Sequence, residues 1–210
     1  MKKLIIVFLL FLSAQVSFAQ DFPFFDLGLK AGANGSWIKN VTDGFDSDGM
    51  KFGFVGGVWA RVKIPVIGLY VQPELVISQS GGKLSGFDEE FQLPFEQTVN
   101  LTNLDGVILV GQRFGLGPLA LRINAGPVFS NVLSANVKTK VEGIAEVESD
   151  IKDDVKSPQI GLQAGIGLDI SKINIDLRFQ QNFSKLADDA DDDENTKVSL
   201  LQLTVGFKIL

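Results

Sequence analysis

The chain has 210 residues, 45% of them apolar, with 17 phenylalanines, 22 glycines and a formal charge of −6. It contains neither cysteine nor histidine. That excludes disulfides, thiol chemistry and cysteine metal sites, and removes the commonest general base and metal ligand. The acidic balance disfavours nucleic acid, whose partners carry basic stripes.

Residues 1–20, MKKLIIVFLLFLSAQVSFAQ, read as a signal peptide. Lys2 and Lys3 form the basic start, Leu4–Leu12 the apolar core, and Ser17-Phe18-Ala19 a small-x-small cleavage site before Gln20. The apolar run is too short to span a bilayer comfortably, and without cysteine there is no N-terminal lipid anchor. Loss of the two lysines takes the mature charge from −6 to −8. Residues 21–210 are expected to form one domain. No later segment approaches 18 unbroken apolar residues, so any membrane crossing must be made by a closed barrel.

After a short lead-in, Asp21–Asp26, the first predicted strand is Leu27–Ile38, with Leu27, Leu29, Ala31 and Ala33 on one face and Gly28, Lys30, Gly32 and Asn34 on the other. A polar loop, Lys39–Met50, leads to the second strand, Lys51–Ile64. There Phe52, Phe54, Val58, Ala60, Val62 and Ile64 oppose Lys51, Gly53, Gly57, Trp59, Arg61 and Lys63. Pro65–Gly68 is a short turn. The third strand, Leu69–Gln79, sets Leu69, Val71, Pro73, Leu75 and Ile77 against Tyr70, Gln72, Glu74, Val76 and Ser78. Pro73 lacks a ladder donor, so a bulge is expected there. Ser80–Glu96 reads as a loop. The fourth strand, Val99–Phe114, alternates weakly, with Leu104, Gly106, Ile108 and Val110 outward and Asp105 inward. After a short turn at Gly115–Pro118, the fifth, Leu119–Asn131, puts Arg122, Asn124 and Gly126 inward. The longest loop is expected over Val132–Ser157.

The hairpin Gln159–Phe179 carries the clearest pattern. Its first arm aligns Ile160, Leu162, Ala164, Ile166, Leu168 and Ile170. Its second aligns Ile173, Ile175, Leu177 and Phe179, with only Ser171 and Lys172 between the arms. Period-two alternation over this length means β-strand, and a two-residue connection means a tight antiparallel hairpin. Each arm is about the 9–11 residues that a tilted strand needs to cross a bilayer. One face is apolar and the other polar or glycine, as in a transmembrane barrel with lipid outside. An acidic loop, Lys185–Lys197, precedes the last strand, where Leu201, Leu203, Val205, Phe207 and Ile209 face out and Gln202, Thr204, Gly206 and Lys208 face in.

The expected fold is therefore an all-β, eight-stranded antiparallel up-and-down barrel. Its connections alternate long and short, which assigns the long loops to the cell exterior and both termini to the periplasm. Trp37, Phe52 and Phe129 on one side, and Tyr70, Phe114 and Phe207 on the other, suit interfacial aromatic girdles. An interior of this size is just wide enough for side chains to fill.

GLKAGAN at Gly28–Asn34, LYVQPELVISQSGGK at Leu69–Lys83, AGP at Ala125–Pro127 and the GLQAGIGLDI–INIDLRF hairpin resemble the PorT-type small outer-membrane β-barrel proteins of Bacteroidetes. The match covers essentially the whole mature chain. It departs from the family at Leu104-Asp105-Gly106-Val107, where the fourth strand usually looks more like L-E-I-P. The resemblance implies a small outer-membrane barrel without a catalytic motif. It also implies an association with gliding and type IX protein secretion, the system to which the family's namesake belongs.

The inward charges are Lys30, Arg61, Lys63, Glu74, Asp105, Arg122, Asp169, Asp176 and Arg178. Charges of both signs in one narrow interior must pair to be tolerated, so a salt-bridge network filling the lumen is expected; a selective ion path is the sharper alternative. Gly161, Gly165 and Gly167 sit mid-strand with no following helix, so they are no phosphate loop. They read as inward positions making room for bulky neighbours such as Trp59 and Tyr70. Without histidine, an enzyme of the outer-membrane hydrolase or acyltransferase kind is not expected, nor is a cofactor.

Three roles follow: a structural or interaction protein of the outer membrane, a narrow pore for ions or small solutes, or a soluble lipocalin-like carrier with the opposite polarity. The expected surroundings are outer-membrane lipid and lipopolysaccharide, with secretion-machinery proteins as partners through the resemblance, and no nucleic acid. The C-terminal LQLTVGFKIL is the expected barrel-insertion signal, though it ends in Leu210 and not in an aromatic residue.

The acidic loop offers Asp189, Asp191 and Asp193 as weak metal ligands, but it lacks the glycine and spacing of a calcium loop. A solvated loop predicts no heat when the protein is titrated calorimetrically with calcium to millimolar concentration. A saturable heat would establish a divalent-cation site there.

Overall fold

The computed structural model describes residues 24–39, 45–47, 50–64, 67–88, 93–115, 118–141, 147–151, 157–183 and 197–210. The signal peptide and the acidic loop with Asp189, Asp191 and Asp193 lie outside the described residues.

Ten strands are present among them: β1 Phe25–Lys39, β2 Phe45–Ser47, β3 Lys51–Ile64, β4 Leu69–Asp88, β5 Leu93–Phe114, β6 Leu119–Val141, β7 Val147–Asp150, β8 Gln159–Ile170, β9 Ile173–Asn182 and β10 Lys197–Lys208. Eight form a closed antiparallel up-and-down barrel, each paired with its neighbours along the path β1-β3-β4-β5-β6-β8-β9-β10 and back to β1. The closing seam runs from Gly28↔Lys208 to Lys39↔Lys197. Beyond it, Leu27 donates its N–H to the Leu210 carbonyl at 3.1 Å and accepts from the Ile209 N–H at 2.7 Å. The short strands β2 and β7 are satellites, pairing with β4 and β6.

The inward and outward rows stand as period two sets them. Apolar side chains cover the outside, with Phe52 78%, Phe207 54% and Ile166 53% exposed. Polar and charged side chains are buried within. This polarity overturns the soluble carrier, which requires an apolar interior and a polar exterior. No helix among the described residues is long and apolar enough to cross a membrane.

Several expectations are corrected. The segment read as a loop over Ser80–Glu96 is mostly strand: β4 and β5 pair without interruption from Leu69↔Gln112 to Asp88↔Leu93. The loop over Val132–Ser157 likewise holds the last part of β6 and all of β7. These extensions run past the length a membrane needs. Beyond it the outer face of a ladder no longer meets lipid, so backbone pairing continues while the apolar–polar alternation that reveals a strand lapses. Pro73 makes no bulge. The recorded β3–β4 partners pass from Trp59↔Glu74 to Val62↔Val71 in one register. The irregularity lies in β5–β6 instead, where Asn103↔Val132 gives way to Thr102↔Ser134 and Leu133 is the extra residue. Leu133 and Ser134 are both exposed, and the inward row moves from Val132 to Ala135. Tyr70 is buried in the lumen and takes no part in a girdle, because its even position on β4 faces in.

Glycines set where large lumen side chains lie, but not in the combination expected. Gly161, Gly165 and Gly167 face Asn182, Arg178 and the Arg122–Asp176 pair, not Trp59 and Tyr70. Trp59 lies over Gly28 and Gly206, and Tyr70 over Gly111. A Cβ on Gly28 would collide with the Trp59 ring and with the Phe207 carbonyl of the closing strand. Gly28→Ala is expected to lower barrel stability by about 2 kcal/mol, the usual scale of core overpacking, measured as a lower urea midpoint of the folded protein in detergent.

Candidate functional site

The lumen holds the chain's concentrated chemistry. Because inward positions recur every second residue, neighbouring strands stack their polar side chains into layers across the barrel.

The central layer is a ring. Arg61 on β3 donates through Nε to Gln72 Oε1 on β4 at 2.6 Å, and Gln72 Nε2 donates to Glu74 Oε1 at 2.6 Å. Glu74 meets Arg178 of β9 at 2.9 Å, and Arg178 meets Asp176 at 3.3 Å. Asp176 bridges to Arg122 of β6 at 3.1 Å, Arg122 to Asp169 of β8 at 2.7 Å, and Asp169 back to Arg61 at 3.2 Å. Four further contacts bring in the remaining strands. Lys30 of β1 bonds Glu74 at 2.5 Å, and Arg113 of β5 lies 3.4 Å from Asp169. Arg178 donates to Gln163 at 3.4 Å, which donates to Gln202 of β10 at 3.0 Å. All eight barrel strands are thereby tied through side chains across the lumen.

This geometry follows from burial. Arg122 is 0% and Arg178 1% exposed. A guanidinium removed from water is tolerable only when several carboxylate or amide oxygens replace its hydration. Arg122 has both Asp169 and Asp176, and Arg178 both Glu74 and Asp176. Small residues make the space: a Cβ on Gly167 would stand 2.7 Å from Arg122 Nη2 and 2.5 Å from Asp176 Oδ1.

The nine lumen charges read from the sequence do not form one network. Lys30, Arg61, Glu74, Arg122, Asp169, Asp176 and Arg178 join the ring or contact it. Lys63 belongs to a separate cluster at the short-turn end, where it and Lys208 both bond Asp26, at 2.8 and 2.7 Å. Asp105 accepts from the Ser78 hydroxyl at 2.5 Å and has no ion pair among the described residues. Asp26 and Arg113 are the participants that sequence reasoning passed over, while Lys208 and the bridging Gln72 were read as inward but not as members of a charge network. Extending each strand's inward parity by one or two residues would have reached Asp26 and Arg113. Nothing in one sequence marks Gln72 as a bridge between two charges, because its role comes from which strand lies beside it.

On the long-loop side of the ring lies a layer of amides and hydroxyls, among them Gln163, Gln180, Asn182, Gln202 and Ser199. Past that layer, Val99, Leu101, Val132, Ala135, Val198 and Leu200 pack into an apolar cluster. Val137 and Ile151 close over it. On the other side, a cavity of about 460 Å³ opens at the short-turn end, bordered by the ring residues Arg61 and Asp169 and by the Asp26 cluster. Among the described residues no group of three or more acidic side chains is placed to hold a metal ion.

Residues 14–188 match the family model for an outer membrane protein beta-barrel domain. No curated protein sequence matches the chain. Solved structures that superpose on it include Ail, the attachment invasion locus protein of Yersinia pestis, at 13% identity and TM-score 0.47, covering 89% of this chain and 99% of that one. Neisserial surface protein A aligns at 12% identity and TM-score 0.47, over 87% and 97% of the two chains. OprG of Pseudomonas aeruginosa aligns at 10% identity and TM-score 0.47, over 88% and 95%.

Removal of one ring carboxylate should cost more than removal of a whole charge set. Glu74→Ala leaves Lys30 and Arg178 facing each other and is expected to destabilise the folded barrel by about 3–5 kcal/mol. The triple change Lys30→Met, Glu74→Leu, Arg178→Met is expected to cost clearly less, both read from urea unfolding in detergent. Equal midpoints for Glu74→Ala and the parent would show that the ring carries no stability.

Proposed function

This chain belongs to the outer membrane protein beta-barrel domain family, and on that premise we propose that it serves the outer membrane as a closed, reinforced barrel that docks a protein partner. The filled lumen carries this reading. The charged ring, the amide layer and the apolar cluster leave little room for a solute to pass, whereas an open channel needs a continuous wet path.

The strands supply the surface. Those of β4, β5 and β6 have 20, 22 and 23 residues against 12, 10 and 12 in β8, β9 and β10. At roughly 3.3 Å per residue and 9–11 residues per crossing, the long strands carry a sheet well beyond the bilayer on the long-loop side. A rigid projecting sheet is a better docking platform than a mobile loop, since less order is lost on binding. The alternation of long and short connections supports placing this sheet at the cell exterior and the termini and short turns in the periplasm. The resemblance to PorT-type barrels of Bacteroidetes makes the protein-secretion machinery the first partner to seek. Lipopolysaccharide and outer-membrane lipid surround the apolar belt, and no catalytic role is assigned.

The second reading, a narrow pore, draws on the cavity at the short-turn end. Two measurements separate them. A tagged protein extracted gently from the outer membrane should migrate as an assembly larger than one barrel, and shortening the β4–β5 tip should release the partner while the barrel stays folded. A lone barrel in the extract, together with steady unitary conductance in planar bilayers, would replace docking with conduction.

A further inference from the structure

Formal charge is not spread evenly along the lumen. In the deep part Lys30, Arg122 and Arg178 are matched in number by Glu74, Asp176 and Asp105. Among the described residues that border the short-turn cavity, the charged ones are Arg61, Lys63, Arg113 and Lys208 with Asp26 and Asp169. Among these lining groups the cations outnumber the anions by two, in a chain whose formal charge is −6. Asp26 already takes both lysines, and Asp169 already takes Arg61, Arg113 and Arg122.

One cation is fixed at the cavity wall. Arg61 is 3% exposed and borders the cavity. Its Nε is given to Gln72 and its Nη1 to Asp169, while Nη2 has no hydrogen-bond partner among the described residues. The Arg61 guanidinium carbon lies 4.9 Å from the ring centroids of both Trp59 and Tyr70. Stacking on two aromatic faces fixes the guanidinium plane, so its positive charge is held at the cavity wall.

We propose that this cavity, between Arg61, Arg113 and the Lys63–Lys208 pair, is a binding site for a small organic dianion, a dicarboxylate or a phosphate monoester. Two surplus charges match a dianion. A volume of about 460 Å³ suits a small metabolite-sized ligand, and Trp59, Tyr70 and Leu69 offer apolar wall to a carbon body. Paired arginines favour carboxylate or phosphate oxygens because two parallel N–H groups meet two oxygens.

The test uses the full chain folded in detergent, with Trp37→Phe so that Trp59, the other of the two tryptophans, reports from the cavity wall. Succinate and phenyl phosphate are titrated as probes, against succinamide as the neutral analogue and sodium chloride at equal ionic strength. Expected is a saturable change in Trp59 fluorescence and a raised urea midpoint with one or both dianions and with neither control. Succinate alone would identify a carboxylate site, and phenyl phosphate alone a phosphate site. Arg113→Gln and Lys63→Gln should each weaken binding about tenfold, the size of one charge-assisted hydrogen bond. Both residues are partly exposed and leave the closed ring intact, and heat-modifiable electrophoretic mobility verifies that each variant is folded. Responses equal to those of sodium chloride, no response in either readout, or full affinity in Arg113→Gln would overturn the site. Because binding is read in detergent, such a failure leaves the docking role and the orientation of the barrel standing.

Discussion

A strand in hydrocarbon has no water to satisfy its backbone, and every other feature of this protein follows from that constraint. The first strand must find the last, which it does along the Gly28–Lys39 seam with β10. Once the sheet closes, each strand has one face in lipid and one in a lumen only a few side chains wide. The lipid face must be apolar. The lumen face is then the only place for polar side chains, and those side chains must satisfy one another.

The ring is the form that mutual satisfaction takes here. A salt bridge between adjacent strands adds little to a ladder already hydrogen-bonded. Contacts between strands far apart around the barrel, such as Arg61 with Asp169 or Arg178 with Glu74, brace it against collapse and shear. Arg122 and Arg178 are each shared by two carboxylates, and Arg61 by a carboxylate and an amide, so no single pair bears the whole desolvation cost. Glycines and bulky aromatics complete the arrangement. Gly28 and Gly206 leave a shelf on which Trp59 lies, and Trp59 in turn stacks on Arg61. A barrel braced in this way has a well-defined rim from which the long β4–β6 sheet projects.

The lumen is also graded along its axis. The long-loop end is apolar and sealed, the middle is charged and balanced, and the short-turn end is open with more cation than anion. Leu133 contributes to the seal. As an extra residue in β6 it turns Ala135 and Val137 toward the cluster where strict alternation would have turned Ser134 and Asn136.

The amino-acid order by itself determined the barrel, its polarity and nearly every inward position, because in lipid a strand's two faces meet opposite demands and the period of two is written directly into residue type. Lys30, Glu74, Arg122 and Arg178 were legible for that reason. What only the tertiary structure decided was which charges meet, where the strands end and where the positive surplus lies. Partners in the ring are separated by as many as 108 residues, as Arg61 and Asp169 are, and are brought together by register and closure. Gln72 becomes a bridge and Asp105 stands apart from the ring for the same reason. The extensions of β4, β5 and β6 escaped notice because beyond the lipid the outer face of a ladder need not be apolar, so the pairing persists after the pattern has gone.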